Sequence, residues 1–132
     1  MDKIKVLLAE DEVSLAHIVR ESLEERNFTV ILCTNGEQAY EQYNKHKPDI
    51  LALDIMMPKI DGFDVLDILR NTPDTQGVKI IILSALSQPS DIERAKKLGA
   101  DEYLVKSQNV VSDVMERIRF HLGLPPRSEQ AN

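Results

Sequence analysis

The 132-residue sequence predicts an α/β fold: one parallel five-stranded sheet with helices packed on both faces. Three observations lead there. Five short apolar runs recur along the chain, at Ile4 to Ala9, Thr29 to Cys33, Ile50 to Leu53, Val78 to Leu83 and Glu102 to Val105. Stretches with an apolar repeat near 3.6 residues separate them. Runs such as Ile80-Ile81-Ile82-Leu83 do not alternate with polar residues, the pattern of strands buried on both faces.

Each element follows in order. After the first run, Leu15, Ile18, Val19, Ser22 and Leu23 fall on one helical face. The second run ends in Cys33, the sole cysteine. It cannot form an internal disulfide, reads as a buried inert thiol, and fits a reducing compartment. The second helix carries Tyr40 and Tyr43, read as packing or surface aromatics. The third run ends before Asp54. Met57 and Pro58 beyond it read as loop structure, and Gly62 as a turn or helix start. Val65, Leu66 and Leu69 mark the third helix. Asp91 to Leu98 predicts a shorter fourth helix, with Ser90 as N-cap, Glu93 completing a capping box and Gly99 at the C′ position. Val111, Val114, Met115, Ile118 and Leu122 mark the last helix. Right-handed crossovers prune the topologies. The natural choice at this length is the flavodoxin-like (βα)5 three-layer sandwich with strand order 2-1-3-4-5, a step taken over from known doubly wound folds. Residues 1–122 form one domain, and 123–132, with adjacent Pro125 and Pro126, read as a flexible tail or the stump of a linker.

Hydrophobic residues make up 42% and charged residues 29%, which excludes disorder across the whole chain. A net charge of -6 disfavours a general grip on nucleic acid and suits a cation or a basic partner face. The first apolar run is broken by Lys5 and ends in Glu10-Asp11-Glu12. It is too short and too charged for an export signal or a membrane span, so a cytoplasmic location is expected.

On an open α/β sheet, chemistry is expected beyond the carboxyl ends of the strands. There the runs deliver Glu10 and Asp11, Asp54, Ser84 and Lys106. Three carboxylates then share one pocket with a hydroxyl and an ammonium. Clustered carboxylates repel one another unless a cation joins them. Hard oxygen ligands with open positions suit Mg²⁺. Asp54 is placed to attack a phosphoryl group, a transfer that depends on positioning and charge neutralisation. Lys106 supplies positive charge to phosphoryl oxygens and Ser84 a hydrogen bond. Taken singly, each residue has a blander reading. Asp11 caps a helix, Lys106 is a surface lysine, and Ser84 alone means little. The joint occurrence at four strand ends carries the argument.

These residues sit in segments that resemble the response-regulator receiver family from Lys3 to Leu122. The segments are Val6-Leu-Leu-Ala-Glu-Asp-Glu12, Pro48-Asp-Ile-Leu-Ala-Leu-Asp-Ile-Met-Met-Pro58, Asp61-Gly62-Phe63, Ile80-Ile-Ile-Leu-Ser-Ala85 and Gly99-Ala-Asp-Glu-Tyr-Leu-Val-Lys106. The resemblance implies a phosphoacceptor at Asp54 and a Mg²⁺ site. Asp11 and Asp54 would be ligands, Glu10 would act mainly through a metal-bound water, and the main-chain carbonyl of Met56 would be a further ligand. It implies phosphoryl contacts from Ser84 and Lys106, and a coupled switch pair, Ser84 and Tyr103. It also implies a sensor histidine kinase or phosphotransfer protein as donor, and a downstream protein or output domain as receiver of the signal. The domain would catalyse only its own phosphorylation and slow self-dephosphorylation. Taken alone, Tyr103 is a half-buried strand aromatic.

Some positions depart from the family pattern. Ser107 stands where proline, joined by a cis bond, usually follows the lysine. Met56 and Leu86 are bulky and apolar at positions thought to tune access of attacking water, so slow loss of the phosphoryl group is expected. The DNA-binding subfamily often carries an acidic residue and an arginine where Ser112 and Glu116 stand. That favours a stand-alone receiver or another subfamily. His17, His46 and His121 lack metal-ligand spacing. An FMN-binding reading is disfavoured because Glu10-Asp11-Glu12 would repel the flavin phosphate. A phosphatase of the haloacid dehalogenase type is disfavoured because Met56 stands where its general acid would be. A receiver acting as an unphosphorylated scaffold is a milder alternative.

Overall fold

Five parallel strands, in the order β2-β1-β3-β4-β5, form the single sheet of the computed structural model, which describes residues 3–125. The strands are β1 (Lys5–Ala9), β2 (Thr29–Cys33), β3 (Ile50–Leu53), β4 (Lys79–Ser84) and β5 (Glu102–Val105). The helices are α1 (Val13–Glu25), α2 (Gly36–His46), α3 (Gly62–Arg70), α4 (Pro89–Lys97) and α5 (Val111–His121). The expected fold class and strand order are therefore what the chain adopts. Among the described residues no helix is long and apolar enough to cross a membrane.

Successive strand side chains point to opposite faces, and the core divides accordingly. Leu7, Leu51, Leu53, Ile80 and Ile82 pack with α2, α3 and Ala95 of α4. Val6, Leu8, Ile50, Ala52, Ile81 and Leu83 pack on the other face with α1 and α5. Both faces of β3 are buried, which accounts for the unbroken apolar run Ile50-Leu-Ala-Leu53. Cys33 is buried as expected, and burial alone pushes its thiol up to about 12, so it stays protonated and unreactive at neutral pH.

Three local expectations need correction. Ile18 is half exposed, because the buried stripe of α1 runs through Ala16, Val19 and Leu23 and leaves Ile18 on its flank. Helix α4 begins at Pro89, so Gln88, not Ser90, is the N-cap. Proline suits the first helical position, having a preset φ and no N–H to satisfy. Ser90 therefore falls inside the first turn, and Glu93 pairs with Lys97 at 3.1 Å instead of closing a capping box. The blander reading of Asp11 as a helix cap is not met, since the N-cap of α1 is Glu12. Gly99 does take the expected place after α4, with φ +109°. Helix α4 buries only Ala95. Its Arg94 guanidinium lies 4.0 Å above the Phe63 ring of α3.

Of the segment 123–132, only Gly123–Pro125 lies within the described residues. There Leu124 packs against the α1/α5 core, and Arg119 Nε donates to the carbonyl of Pro125 at 2.8 Å.

Candidate metal and phosphoryl site

Glu10, Asp54, Ser84 and Lys106 each stand at the carboxyl end of a strand or one residue beyond it. The sheet ladder continues one residue past β1 and β3: Glu10 N–H donates to the carbonyl of Cys33 at 2.9 Å, and Asp54 N–H to that of Ala9 at 3.0 Å. These bonds fix Glu10 and Asp54 side by side, at the switch point between strands β1 and β3. Ser84 is the last residue of β4. Lys106 follows β5 and opens a short 3₁₀ turn over Lys106–Gln108, whose Lys106–Ser107 peptide bond is trans.

Carboxylate oxygens of Glu10, Asp11 and Asp54 lie within 4.8 Å of one another. Glu10 and Asp54 are only 1% and 3% exposed, whereas Asp11 faces solvent. The ammonium of Lys106 stands among them. It is 2.8 Å from Glu10 Oε1, 3.0 Å from Glu10 Oε2, 3.1 Å from Asp54 Oδ2 and 3.6 Å from Glu12 Oε2. The ammonium therefore lies against both oxygens of Glu10, with Oε1 held in the ion pair and Oε2 accepting the directed hydrogen bond. Glu10 Oε2 also accepts from the N–H of Glu12 at 3.0 Å.

The electrostatics follow from burial and crowding. Burial pushes Glu10 up to about 7. Lys106 and the Glu12 N–H hold it down in part, and the charge of Asp54 raises it further. Burial pulls Lys106 the other way, but its bond to Glu10 and the charge of Asp54 outweigh that and hold the ammonium above its ordinary range. The group therefore carries more negative charge than one lysine neutralises. Three carboxylates whose oxygens converge within 4.8 Å, two of them buried and one open to solvent, are the donor set a hard divalent cation takes, and Mg²⁺ fits these residues.

The remaining predicted residues lie on β4, on β5 and in the loop after β3. Ser84 is fully buried, and its Oγ accepts from the Leu86 N–H at 3.3 Å. Tyr103 is half buried, and its hydroxyl donates to the Leu86 carbonyl at 2.8 Å. Both switch candidates are thus tied to the β4–α4 loop. Met56 N–H donates to Asp54 Oδ1 at 3.2 Å, while its side chain is 55% exposed. Met56, Leu86, Phe63 and Arg94 line one open cavity of about 490 Å³.

Two glycines hold the loop beneath Asp54. A Cβ on Gly62 would lie 2.4 Å from the Asp54 carbonyl oxygen, and one on Gly36 would lie 1.8 Å from that of Ile60. Only hydrogen at these positions lets α2 and α3 start against the loop. The sequence marked Gly62 as a turn and gave no signal at Gly36. Away from the site, Glu102 binds Arg117 Nε at 2.8 Å and His121 Nε2 at 2.6 Å. Burial raises the Glu102 carboxyl, but these two partners outweigh it and leave it below its usual range.

Residues 6–119 match the family described as the response regulator receiver domain. The chain belongs to that family. This receiver is 41% identical over 106 residues to a probable transcriptional regulator, ycf27, of Porphyridium aerugineum, covering 80% of this chain and 43% of that protein. It is 33% identical over 118 residues to the phosphate regulon transcriptional regulatory protein PhoB of Rhizobium meliloti, covering 89% of this chain and 52% of that protein. The receiver thus spans about half the length of the curated relatives it matches, and those two are named as transcriptional regulators. Among solved structures, it is similar to the Francisella response regulator 1452 receiver domain, with TM-score 0.81, 30% identity, and coverage of 89% and 95% of the two chains. It is also similar to the BeF3-activated receiver domain of Klebsiella pneumoniae RstA, with TM-score 0.82, 28% identity, and coverage of 89% and 97%. Receiver domains of this family are signalling domains of two-component systems.

Proposed function

We propose that this receiver takes a phosphoryl group onto Asp54 from a histidine kinase or phosphotransfer protein, with Mg²⁺, and passes the change to a downstream protein or output domain. One observation carries the reading: the ammonium of Lys106 lies within 3.1 Å of both buried carboxylates at the ends of β1 and β3. Glu10, Asp11, Asp54 and the main-chain carbonyl of Met56 would hold the metal, Glu10 mainly through water. When bound, Mg²⁺ supplies charge neutralisation for the carboxylates and the incoming phosphoryl oxygens. A carboxylate oxygen of Asp54 forms the new bond to phosphorus as the bond from phosphorus to the donor nitrogen breaks. The electron pair leaves with that nitrogen, which takes up a proton. Lys106 and Ser84 then hold the phosphoryl oxygens. Ser84 cannot turn toward a phosphoryl group without giving up the Leu86 N–H. The same loop carries the acceptor for Tyr103, which couples the pair and the face of α4, β5 and α5 to the event.

The test is intact mass after incubation with acetyl phosphate, with and without Mg²⁺, for the wild type and Asp54→Asn. One phosphoryl adduct that requires both Mg²⁺ and Asp54 is expected. No adduct on a folded wild type would move the reading to an unphosphorylated scaffold.

The lifetime of the adduct is a second expectation. Met56 and Leu86 present apolar bulk on a cavity that begins at Ile55, the residue after Asp54, and on this reading they shield Asp54 from attacking water. Replacing both with Asn should shorten the half-life of phospho-Asp54 about tenfold, equivalent to roughly 1.4 kcal/mol of barrier. An unchanged decay would show that this rim does not control water.

A further inference from the structure

We infer that Glu12 is a positioning residue for Lys106, the carboxylate that receives the ammonium when a cation enters between Glu10, Asp11 and Asp54. The inference rests on the proposed Mg²⁺ site. It starts from a conflict of occupancy. Lys106 Nζ lies 2.8 Å from Glu10 and 3.1 Å from Asp54, so it shares the carboxylates a divalent cation would use. With Glu10 meeting the cation mainly through water, the direct conflict is at Asp54, where an ammonium 3.1 Å away and a divalent cation on the same carboxylate repel one another in a buried site. The ammonium needs another place until a phosphoryl oxygen arrives.

Glu12 offers that place. Its Oε2 is 3.6 Å from Lys106 Nζ, and no carboxylates besides Glu10, Glu12 and Asp54 lie within ion-pair reach of this lysine among the described residues. Its side chain is 61% exposed, so holding the lysine there costs little desolvation and the bond yields readily to a phosphoryl group. The bland alternative is that Glu12 serves the helix. It occupies the N-cap of α1, yet its side chain makes no capping hydrogen bond. Ser, Thr, Asp and Asn cap because their short side chains reach back to the first turn. Glu12 leaves that turn uncapped and lies beside Lys106 instead. Its main-chain N–H meanwhile holds Glu10 Oε2, so a change in its side chain leaves the bond that orients Glu10 in place.

The experiment is calorimetric titration of the full chain with MgCl₂, for wild type, Glu12→Gln, Glu12→Asp, Lys106→Met and the double variant Glu12→Gln/Lys106→Met, with circular dichroism to confirm the fold. Glu12→Gln should weaken Mg²⁺ binding about three- to fivefold, the scale of one exposed ion pair. Glu12→Asp keeps the charge but shortens the reach, and should weaken binding by a similar factor. In the Lys106→Met background the loss from Glu12→Gln should fall below twofold. Wild-type affinity in Glu12→Asp would overturn the inference in favour of a general field effect. The same loss with and without Lys106 would overturn it in favour of Glu12 as a direct metal ligand. Wild type that binds no Mg²⁺ would overturn the metal site itself along with the inference. Should Lys106→Met fail to fold, the comparison of Glu12→Asp with Glu12→Gln still decides.

Discussion

Replacing Lys106 with Met should lower the stability of the metal-free protein by about 3 kcal/mol at neutral pH and above, and should abolish the proposed phosphorylation of Asp54. The methionine keeps most of the volume and removes the charge. Glu10 and Asp54 then face each other, nearly sealed from solvent, without their shared cation. Breaking a buried pair by removing one partner costs about 3–5 kcal/mol, and the partial exposure of Lys106 places this case at the lower end. The pH dependence has a definite sign. Glu10 is already raised to about 7 in the folded chain, above its unfolded value. Losing Lys106 raises it further. A group raised in this way favours the folded state while protonated, so the variant loses stability as pH climbs from the unfolded value through the folded one. The gap to wild type should therefore be small in mild acid and widest above neutrality. Added Mg²⁺ should narrow it, since a cation replaces the lost charge. Urea melts in acid and in base, with and without Mg²⁺, measure all three effects. A gap that widens in acid would overturn the account of the site.

The second large effect comes from a single methyl group. Gly36→Ala should destabilise by about 3 kcal/mol, although alanine is the better helix former by about 1 kcal/mol. Gly36 opens α2, and the added Cβ would stand 1.8 Å from the carbonyl oxygen of Ile60 and 2.6 Å from its carbon. A flexible side chain would swing aside. Backbone cannot, because the loop is held at both ends: Asp61 caps α3, and Gly62 lies against Asp54 and Ile55. The clash therefore outweighs the propensity gain. A drop in Tm of about 10 °C is expected for a domain of this size. Gly77→Ala provides the contrast, since nothing lies within 4 Å of its added Cβ, and its effect should stay within about 0.5 kcal/mol. Equal melting temperatures for the two variants would refute the packing argument.

Much of this was legible in the sequence because it depended on local pattern. Strands buried on both faces leave unbroken apolar runs, and each run stops where the chain leaves the sheet. Reading the residue after the stop yielded Glu10, Asp54 and Lys106, and the structure brings all three within ion-pair distance. What the pattern could not supply was anything set by contact between distant segments. Ile18 and Leu15 look alike on a helical wheel, but only the position of α5 decides which is covered. Ser90 and Glu93 have the right spacing for a cap, and Pro89 pre-empts it by starting the helix earlier. Gly36 matters only because Ile60 passes over it. Glu12 was visible as a third acid in Glu10-Asp11-Glu12, yet its direction toward Lys106 depends on the turn into α1.

The thin packing of α4 has a consequence in the time domain. Nine residues anchored through one buried alanine and one arginine laid on a ring give up few contacts when they detach. Its amide hydrogens should exchange with deuterated solvent through brief local openings, while those of β3, hydrogen-bonded to strands on both sides, wait for the whole domain to open. On the proposed reading, the helix that follows the loop holding Ser84 and Tyr103 should also be the one that reports first on a change at Asp54, on a clock set by its own small opening energy.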